Sequence, residues 1–401
     1  MPSPSSPIIT SMLDQDLYKL TMLQVYYHWF QEADDTEFKF KCRTPGFDLR
    51  TLAEAIMTEL EHVCTLGFTR EELKYLSSLP YLKKDFIDFL RIFRLDPDHI
   101  SIDTSGEHLD LRFRGPLIYI TMFEIFALGI ISELANRERF PEPDYGEGRR
   151  RLQEKIAQVK THPETSGFMF TDFGTRRRFN KAWQREVVET FCKELPQNFN
   201  GTSNLALARE LGIRPIGTMA HEFLQACQAI GPRLIDSQKH ALETWAKEYR
   251  GQLGIALTDV VGFDAFLQDF DLYFAKLFDG LRHDSGDPYW WTEKALEHYR
   301  KLGIDPRSKT LIFSDDLNIP KALRIYDTFK DQTRVGFGIG TNLTNDLGHK
   351  PLNIVIKMTR CRNHPVAKIS DSAGKEMCED QAYLDYLAYT FNIDRKVMAD
   401  N

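Results

Sequence analysis

Cysteine is scarce and scattered in this chain. The six present, Cys42, Cys64, Cys192, Cys227, Cys361 and Cys378, form no C-x-x-C pair. That argues against a zinc site or a disulfide framework and fits a reducing, cytoplasmic setting. Ordinary small buried side chains account for them. An excess of positive charge is also missing. The formal net charge of -7 argues against a nucleic-acid protein held by a broad basic surface, but leaves room for a local cationic pocket. The most apolar stretch, Leu117 to Ile131, contains Glu124 and is too short to span a bilayer. The Ser/Pro-rich start, Met1 to Pro7, lacks the basic and apolar regions of a signal peptide and reads as a disordered tail. There is no internal repeat and no low-complexity linker.

What is present is a soluble globular composition, 42% hydrophobic and 27% charged over 401 residues, enough for one large or two medium domains. Ser11 to Glu32 carries apolar residues near helical spacing, and Glu37 to Arg43 alternates as a strand. Leu52 to Leu66 and Arg70 to Phe93 read as helices, and His99 to Phe113 as a hairpin turning at Ser105-Gly106. Leu117 to Arg139 reads as a buried helix, Gly148 to Lys160 and Arg177 to Cys192 as charged ones. After about Asn200 apolar strands alternate with helices, the rhythm of βα units around a parallel sheet or barrel. The expected strands are Arg214–Thr218, Gly254–Thr258, Leu277–Arg282, Thr310–Ser314 and Arg334–Gly338. Each ends in polar, acidic or glycine residues, so one face gathers the chemistry. Asn353 to Arg360 is a further β-like run expected to return to the N-terminal sheet. These readings divide the chain into an α+β region, 1–140, completed by 350–401, and an α/β barrel-like region, 141–349.

Gly217-Thr218-Met219-Ala220-His221-Glu222 follows an apolar run and delivers a histidine beside a carboxylate. Such a histidine can act as nucleophile or proton carrier, because its pKa lies near neutrality and an acid fixes its tautomer. A core or capping histidine is the plain alternative. Glu222 is expected either to orient the imidazole or to cap the following helix. Arg282-His283-Asp284-Ser285-Gly286-Asp287-Pro288 sets a phosphate-gripping arginine beside acids suited to sugar hydroxyls or magnesium, or else makes a capped turn. Asp315 and Asp316 at a strand end suit the same ligands, or cap a helix. Gly336 to Asn342 is glycine-rich and could form an anion nest, or a tight turn. Asp172-Phe173-Gly174-Thr175-Arg176-Arg177-Arg178 pairs an aromatic able to stack on a flat ring with cations for a carboxylate or phosphates; a solvated basic helix start is the alternative. Asp14 to Lys19 alone reads as an acidic helix start.

The ordered set DxYK (Asp16 to Lys19), FGTRR, GTMAHE, DSGDP, SDDLN and GFGIGTNL resembles the nicotinate phosphoribosyltransferase family, and the likeness runs through nearly the whole chain. The resemblance implies an irregular α/β barrel of the type II phosphoribosyltransferase kind with an N-terminal α+β domain. It implies transfer of 5-phosphoribose from phosphoribosyl pyrophosphate to nicotinate, giving nicotinate mononucleotide and pyrophosphate in NAD salvage. ATP hydrolysis is expected to drive the reaction, with magnesium (Mg2+) required and a homodimer with shared active sites. By the same resemblance His221 is the phosphorylated histidine. Phe173 and Tyr18, the latter from the partner subunit, sandwich the nicotinate ring, and Arg176 lies near its carboxylate. Arg282 and Asp284 hold the phosphoribosyl group, Gly338, Gly340 and Thr341 its 5′-phosphate, and Ser285 and Asp315 are further substrate-binding positions. Ser203 occupies a position where related nicotinamide enzymes carry an aspartate; a hydroxyl there can donate to the nicotinate anion, whereas a carboxylate would repel it.

Overall fold

The computed structural model describes residues 6–369 and 378–393. Most of the Met1 to Pro7 segment and the end of the 350–401 segment lie outside the described residues. Two sheets organise the rest. The first is antiparallel and contains β1 (Thr36–Cys42), β2 (Ile100–Asp103), β3 (Asp110–Gly115), β10 (Ile354–Cys361) and β11 (His364–Pro365), in the order β11-β10-β1-β3-β2. Alternation in β1 turns Phe38 and Phe40 into the core, as a period of two requires. β2 and β3 form the expected hairpin. β10 pairs with β1 from end to end, with a bulge at Glu37/Phe38. The last long strand of the chain therefore lies beside the first.

Against this sheet packs the helix Phe123–Arg139. With the short turn before it, the helical stretch Leu117–Arg139 is 23 residues, long and apolar enough to cross a membrane. It extends beyond the apolar run read from the sequence, and it is buried within the fold, where Phe123, Phe126, Leu128, Ile130 and Ile131 are fully covered. The stretch Arg70 to Phe93 is two helices, Arg70–Leu76 and Lys84–Leu90, not one. Thr69 and Glu72 form a capping box at the first, and Pro80 lies in the break, where its missing N–H disfavours a continuous helix.

The second sheet is parallel and contains β4 (Phe170–Asp172), β5 (Phe199–Thr202), β6 (Ile255–Leu257), β7 (Gly280–His283), β8 (Thr310–Phe313) and β9 (Arg334–Ile339), in the order β5-β4-β9-β8-β7-β6. β4 and β5 were not among the expected strands. The expected strand Arg214–Thr218 is instead an extended connector with a single bridge, Thr202 to Pro215. Proline has no N–H to continue a ladder. This connector nevertheless joins the sheet's two edges. Ile216 N–H donates to Thr202 C=O at 2.9 Å, beside β5, and Thr218 Oγ1 donates to Ile255 C=O at 3.0 Å, on β6. Gly201 (φ +131) permits the approach, since a Cβ there would lie 2.3 Å from the Arg214 carbonyl oxygen. The ring so closed is the irregular α/β barrel expected, next to an α+β layer.

Candidate active site

Because the barrel strands are parallel, their carboxyl ends share one edge. Phe173, Ser203, Asp284 and Gly340 lie directly beyond β4, β5, β7 and β9, Asp259 lies two residues past β6, and Ser314 and Asp315 follow β8. His221 opens the helix His221–Ile230 just past the closing connector. After β11 the chain returns to this edge: Ile369 N–H donates to Val260 C=O at 2.8 Å. That return carries Lys368 into the site.

The half-buried imidazole of His221 has Nε2 2.9 Å from Asp259 Oδ1, 2.9 Å from Lys368 Nζ and 3.5 Å from Asp284 Oδ2. Asp259 is 1% exposed. It also pairs with Lys368 and accepts a 2.6 Å bond from Ser285 Oγ. Burial works against its charge, but Lys368 and His221 outweigh burial and hold its carboxyl well below the usual range. Burial and the Lys368 charge push the His221 pKa down, against the pull of Asp259 and Asp284. Both act against protonation of the ring.

Glu222 does not orient the imidazole. Its carboxylate is buried against Lys19 Nζ at 2.5 Å, Tyr26 OH at 3.2 Å and Thr121 Oγ1. Adjacent helical residues point about 100° apart around the axis, so neighbours in sequence face different surroundings. Asp259 does the work expected of Glu222. Asp259 ended an expected strand but was not singled out, and nothing in the local pattern pointed to Lys368.

Around the sugar-binding candidates the roles divide. Asp284 accepts from Ser314 Oγ at 2.6 Å, and His221 and Arg282 overcome burial to keep its pKa low. Arg282 donates from Nη1 to Met219 C=O at 2.9 Å, steadying the segment that leads to His221. Ser285 faces Asp259. Asp287 caps the helix Pro288–Lys301, accepting from Trp290 N–H at 2.7 Å. Asp316 pairs with Lys321 at 2.7 Å, and the cap of the next helix is Asn318. Asp315 stays at the edge, its charge felt by His283 and Arg177.

Phe173 is fixed by its N–H donating to Ile339 C=O at 2.9 Å. Gly338 is a strand residue of β9, and a Cβ on it would lie 2.2 Å from the Phe173 ring. Its missing side chain is a slot for that ring. Gly336, Gly338 and Gly340 have no positive φ, so the alternating left- and right-handed backbone of an anion nest is absent here. Gly340 precedes a single helical turn, Thr341–Thr344. The three arginines separate. Arg176, 39% exposed at its side chain, lies 3.6 Å from Glu124. Arg177 reaches Asn353 at 3.3 Å. Arg178 is 1% exposed and grips Asp14 through bonds of 2.6 and 2.9 Å.

The Asp14 to Lys19 segment is more than an acidic helix start. Leu17 N–H donates to Ser203 C=O at 2.8 Å, and Ser203 Oγ donates to Asp16 at 2.6 Å. A hydroxyl has one proton, so Ser203 as it stands has none to give a ligand anion. Tyr18 is half-buried, and Glu124, Asp16 and Arg176 act on it from within its own chain. The short link from Leu17 N–H to Ser203 C=O fixes the backbone beside Tyr18. On the other side, burial and the neighbouring charges of Lys368, Arg43 and Arg176 push Lys357 down to about 7. Lys357, Lys368, Arg43 and Arg176 are thus close enough for their charges to act on one another.

A histidine between carboxylates, flanked by cations at the carboxyl edge of a parallel barrel, marks the chain as an α/β-barrel enzyme with a site suited to anionic substrates. Residues 168–395 match the model of the nicotinate phosphoribosyltransferase family, and residues 13–132 match that of its N-terminal domain. The chain belongs to this family. It is 54% identical to a nicotinate phosphoribosyltransferase of Burkholderia mallei over 96% of this chain and 97% of that one. Identity to that of Psychromonas ingrahamii is also 54%, over 96% of each. Among solved structures, the nicotinate phosphoribosyltransferase of Vibrio cholerae superposes with a TM-score of 0.93 at 39% identity, covering 98% of this chain and 96% of that one. That of Porphyromonas gingivalis gives 0.91 at 36%, covering 96% and 100%.

Proposed function

We propose that this chain transfers the 5-phosphoribosyl group of phosphoribosyl pyrophosphate to nicotinate, forming nicotinate mononucleotide and pyrophosphate for NAD salvage. We propose further that ATP hydrolysis is coupled to the transfer through phosphorylation of His221. The observation that carries the reading is the convergence at one barrel edge of Phe173 in its Gly338 slot, Arg176, Asp284 and His221.

The nicotinate ring stacks on Phe173 with Tyr18 nearby, and its carboxylate meets Arg176. The ring nitrogen brings its own lone pair, so no general base is needed. It attacks C1 of the ribose as the C1–O bond to pyrophosphate breaks. Positive charge grows on the sugar, where Asp284 stabilises it, and negative charge grows on the leaving pyrophosphate, where Arg43, Lys357 and Lys368 stabilise it. The one-turn helix after Gly340 offers unpaired N–H groups to the 5′-phosphate. For the coupling step, one His221 nitrogen donates to Asp259 and the other keeps its lone pair. That lone pair attacks the γ-phosphorus of ATP, the bond to the bridging oxygen breaks, and ADP leaves. Hydrolysis of the phosphohistidine then resets the site.

Magnesium takes six ligands, preferring oxygen, and keeps several waters. Nε2 of His221 and carboxylate oxygens of Asp259 and Asp284 lie within 4.8 Å of one another, but Asp259 is already neutralised by Lys368 and the imidazole offers nitrogen. The donor chemistry fits magnesium, which Asp284 would hold. Bound there, the ion would offset the charge of the departing pyrophosphate. Homodimerisation belongs to the same proposal, and sedimentation at twice the 46.5 kDa chain mass would support it.

Mass spectrometry at alkaline pH after ATP treatment should find one phosphate on His221. His221→Asn should lose ATP-coupled turnover yet keep slow uncoupled transfer. Full coupling in that variant would remove the phosphohistidine.

A further inference from the structure

Lys19 ends the first motif of the sequence, and the mechanism above gives it no task. It is 0% exposed. Its ammonium lies 2.5 Å from Glu222 Oε2 and 2.6 Å from Glu124 Oε2, with Thr121 Oγ1 at 3.4 Å. Glu222 is the residue after His221, in the first turn of the helix His221–Ile230. Glu124 faces the other way as well, with Oε1 3.6 Å from Arg176. The charges form a string: Glu222, Lys19, Glu124, Arg176. The two glutamates are 5% and 9% exposed at their side chains, so little water screens the string. Two negative and two positive groups balance. Changing one charge must be felt by its neighbours.

We propose that Lys19 is a positioning residue that couples the Arg176 end of the site to the His221 end, an inference that rests on the functional reading above. When the carboxylate of nicotinate neutralises Arg176, Glu124 loses part of its partner and draws harder on Lys19. The grip of Lys19 on Glu222 then loosens, in the turn that carries His221. Coupling of this kind is reciprocal, so phosphorylation at His221 changes the affinity for nicotinate by the same path.

Lys19→Met alone strands two buried carboxylates and is expected to destabilise the fold. Lys19→Met/Glu222→Gln leaves Glu124 balanced by Arg176, so this double variant is compared with Glu222→Gln after both are shown to be folded by melting temperature. Against Glu222→Gln, the double variant is expected to raise the KM for nicotinate about tenfold. The KM for phosphoribosyl pyrophosphate should change less than about twofold, and Glu222→Gln itself, which removes the charge that Lys19 grips beside His221, should release at least about twice the ADP per nicotinate mononucleotide that the wild-type chain releases. A merely structural ion cluster would move all three little or together. Equal nicotinate KM in the two variants, or a wild-type ADP yield in Glu222→Gln, would overturn the assignment of Lys19. A wild-type chain that makes the mononucleotide without consuming ATP would refute the coupled reaction instead, and the nicotinate KM would then decide Lys19 alone.

Discussion

Arg176, Arg177 and Arg178 are consecutive and meet three environments. The first is half-open beside Glu124, the second reaches Asn353, and the third is sealed against Asp14. A basic triplet in a sequence announces cations but not their solvent, and solvent decides which of them is available to a ligand. Lys368 makes the opposite point. It stands in no motif, yet it touches both His221 and Asp259. Its charge helps depress the imidazole pKa, so the neutral, nucleophilic ring persists to lower pH than in water. Lys368→Met removes that repulsion, the imidazole protonates more readily, and the acid limb of phosphoenzyme formation should move to higher pH. Rapid-quench labelling with ATP across pH 5–8, the range over which histidine ordinarily titrates, checks this; an unmoved or lowered limb would contradict it. Gly338→Ala puts a methyl group into the Phe173 ring. It should weaken nicotinate binding by about 1–3 kcal/mol through the displaced ring, with the protein still folded. Isothermal titration with nicotinate reads the difference.

At the level of elements, β1, the β2–β3 hairpin, β6 to β9 and β10 were legible because each carries alternation or an apolar run bounded by turn residues. β4 and β5 were not: Phe170-Thr171-Asp172 and Phe199-Asn200-Gly201-Thr202 each hold a single large apolar side chain, so neither shows an apolar run. Their identity comes from neighbours, β4 lying between β5 and β9. The connector around Pro215 failed the other way, an apolar run whose proline limits it to one bridge. In the site, the strand ends were legible and the partners across space were not. Asp259 replaces Glu222 beside His221, Asp287 is a helix cap, and Ser203 answers to Asp16. The Arg178–Asp14 pair pins the residues before the helix Leu17–Trp29 to the barrel. Breaking a buried pair leaves an uncompensated charge, so Arg178→Gln should lose about 3–5 kcal/mol. Denaturant unfolding measures this, and a loss under about 1 kcal/mol, the scale of an exposed pair, would show that the pair is not sealed.

For the whole molecule, the barrel and its antiparallel companion were readable as a change of rhythm along the chain, from alternating strands to short strands separated by helices. Their joining was less so, because it depends on residues far apart in sequence. β10 lies beside β1, more than three hundred positions away, and the strand that follows leads Lys368 to His221. A chain ended at residue 350 lacks both. It should be degraded by limited protease where the full chain resists, and it should form no phosphoenzyme; a protease-resistant fragment would argue that the first sheet stands without β10. The same arrangement sets the order of events on the ribosome. While the barrel is being made, β1 presents an open hydrogen-bonding edge, and it stays open until Ile354 to Cys361 have been added. Synthesis interrupted at any earlier codon yields no half-working enzyme to bind substrate unproductively, only a sticky intermediate for chaperones and proteases to collect.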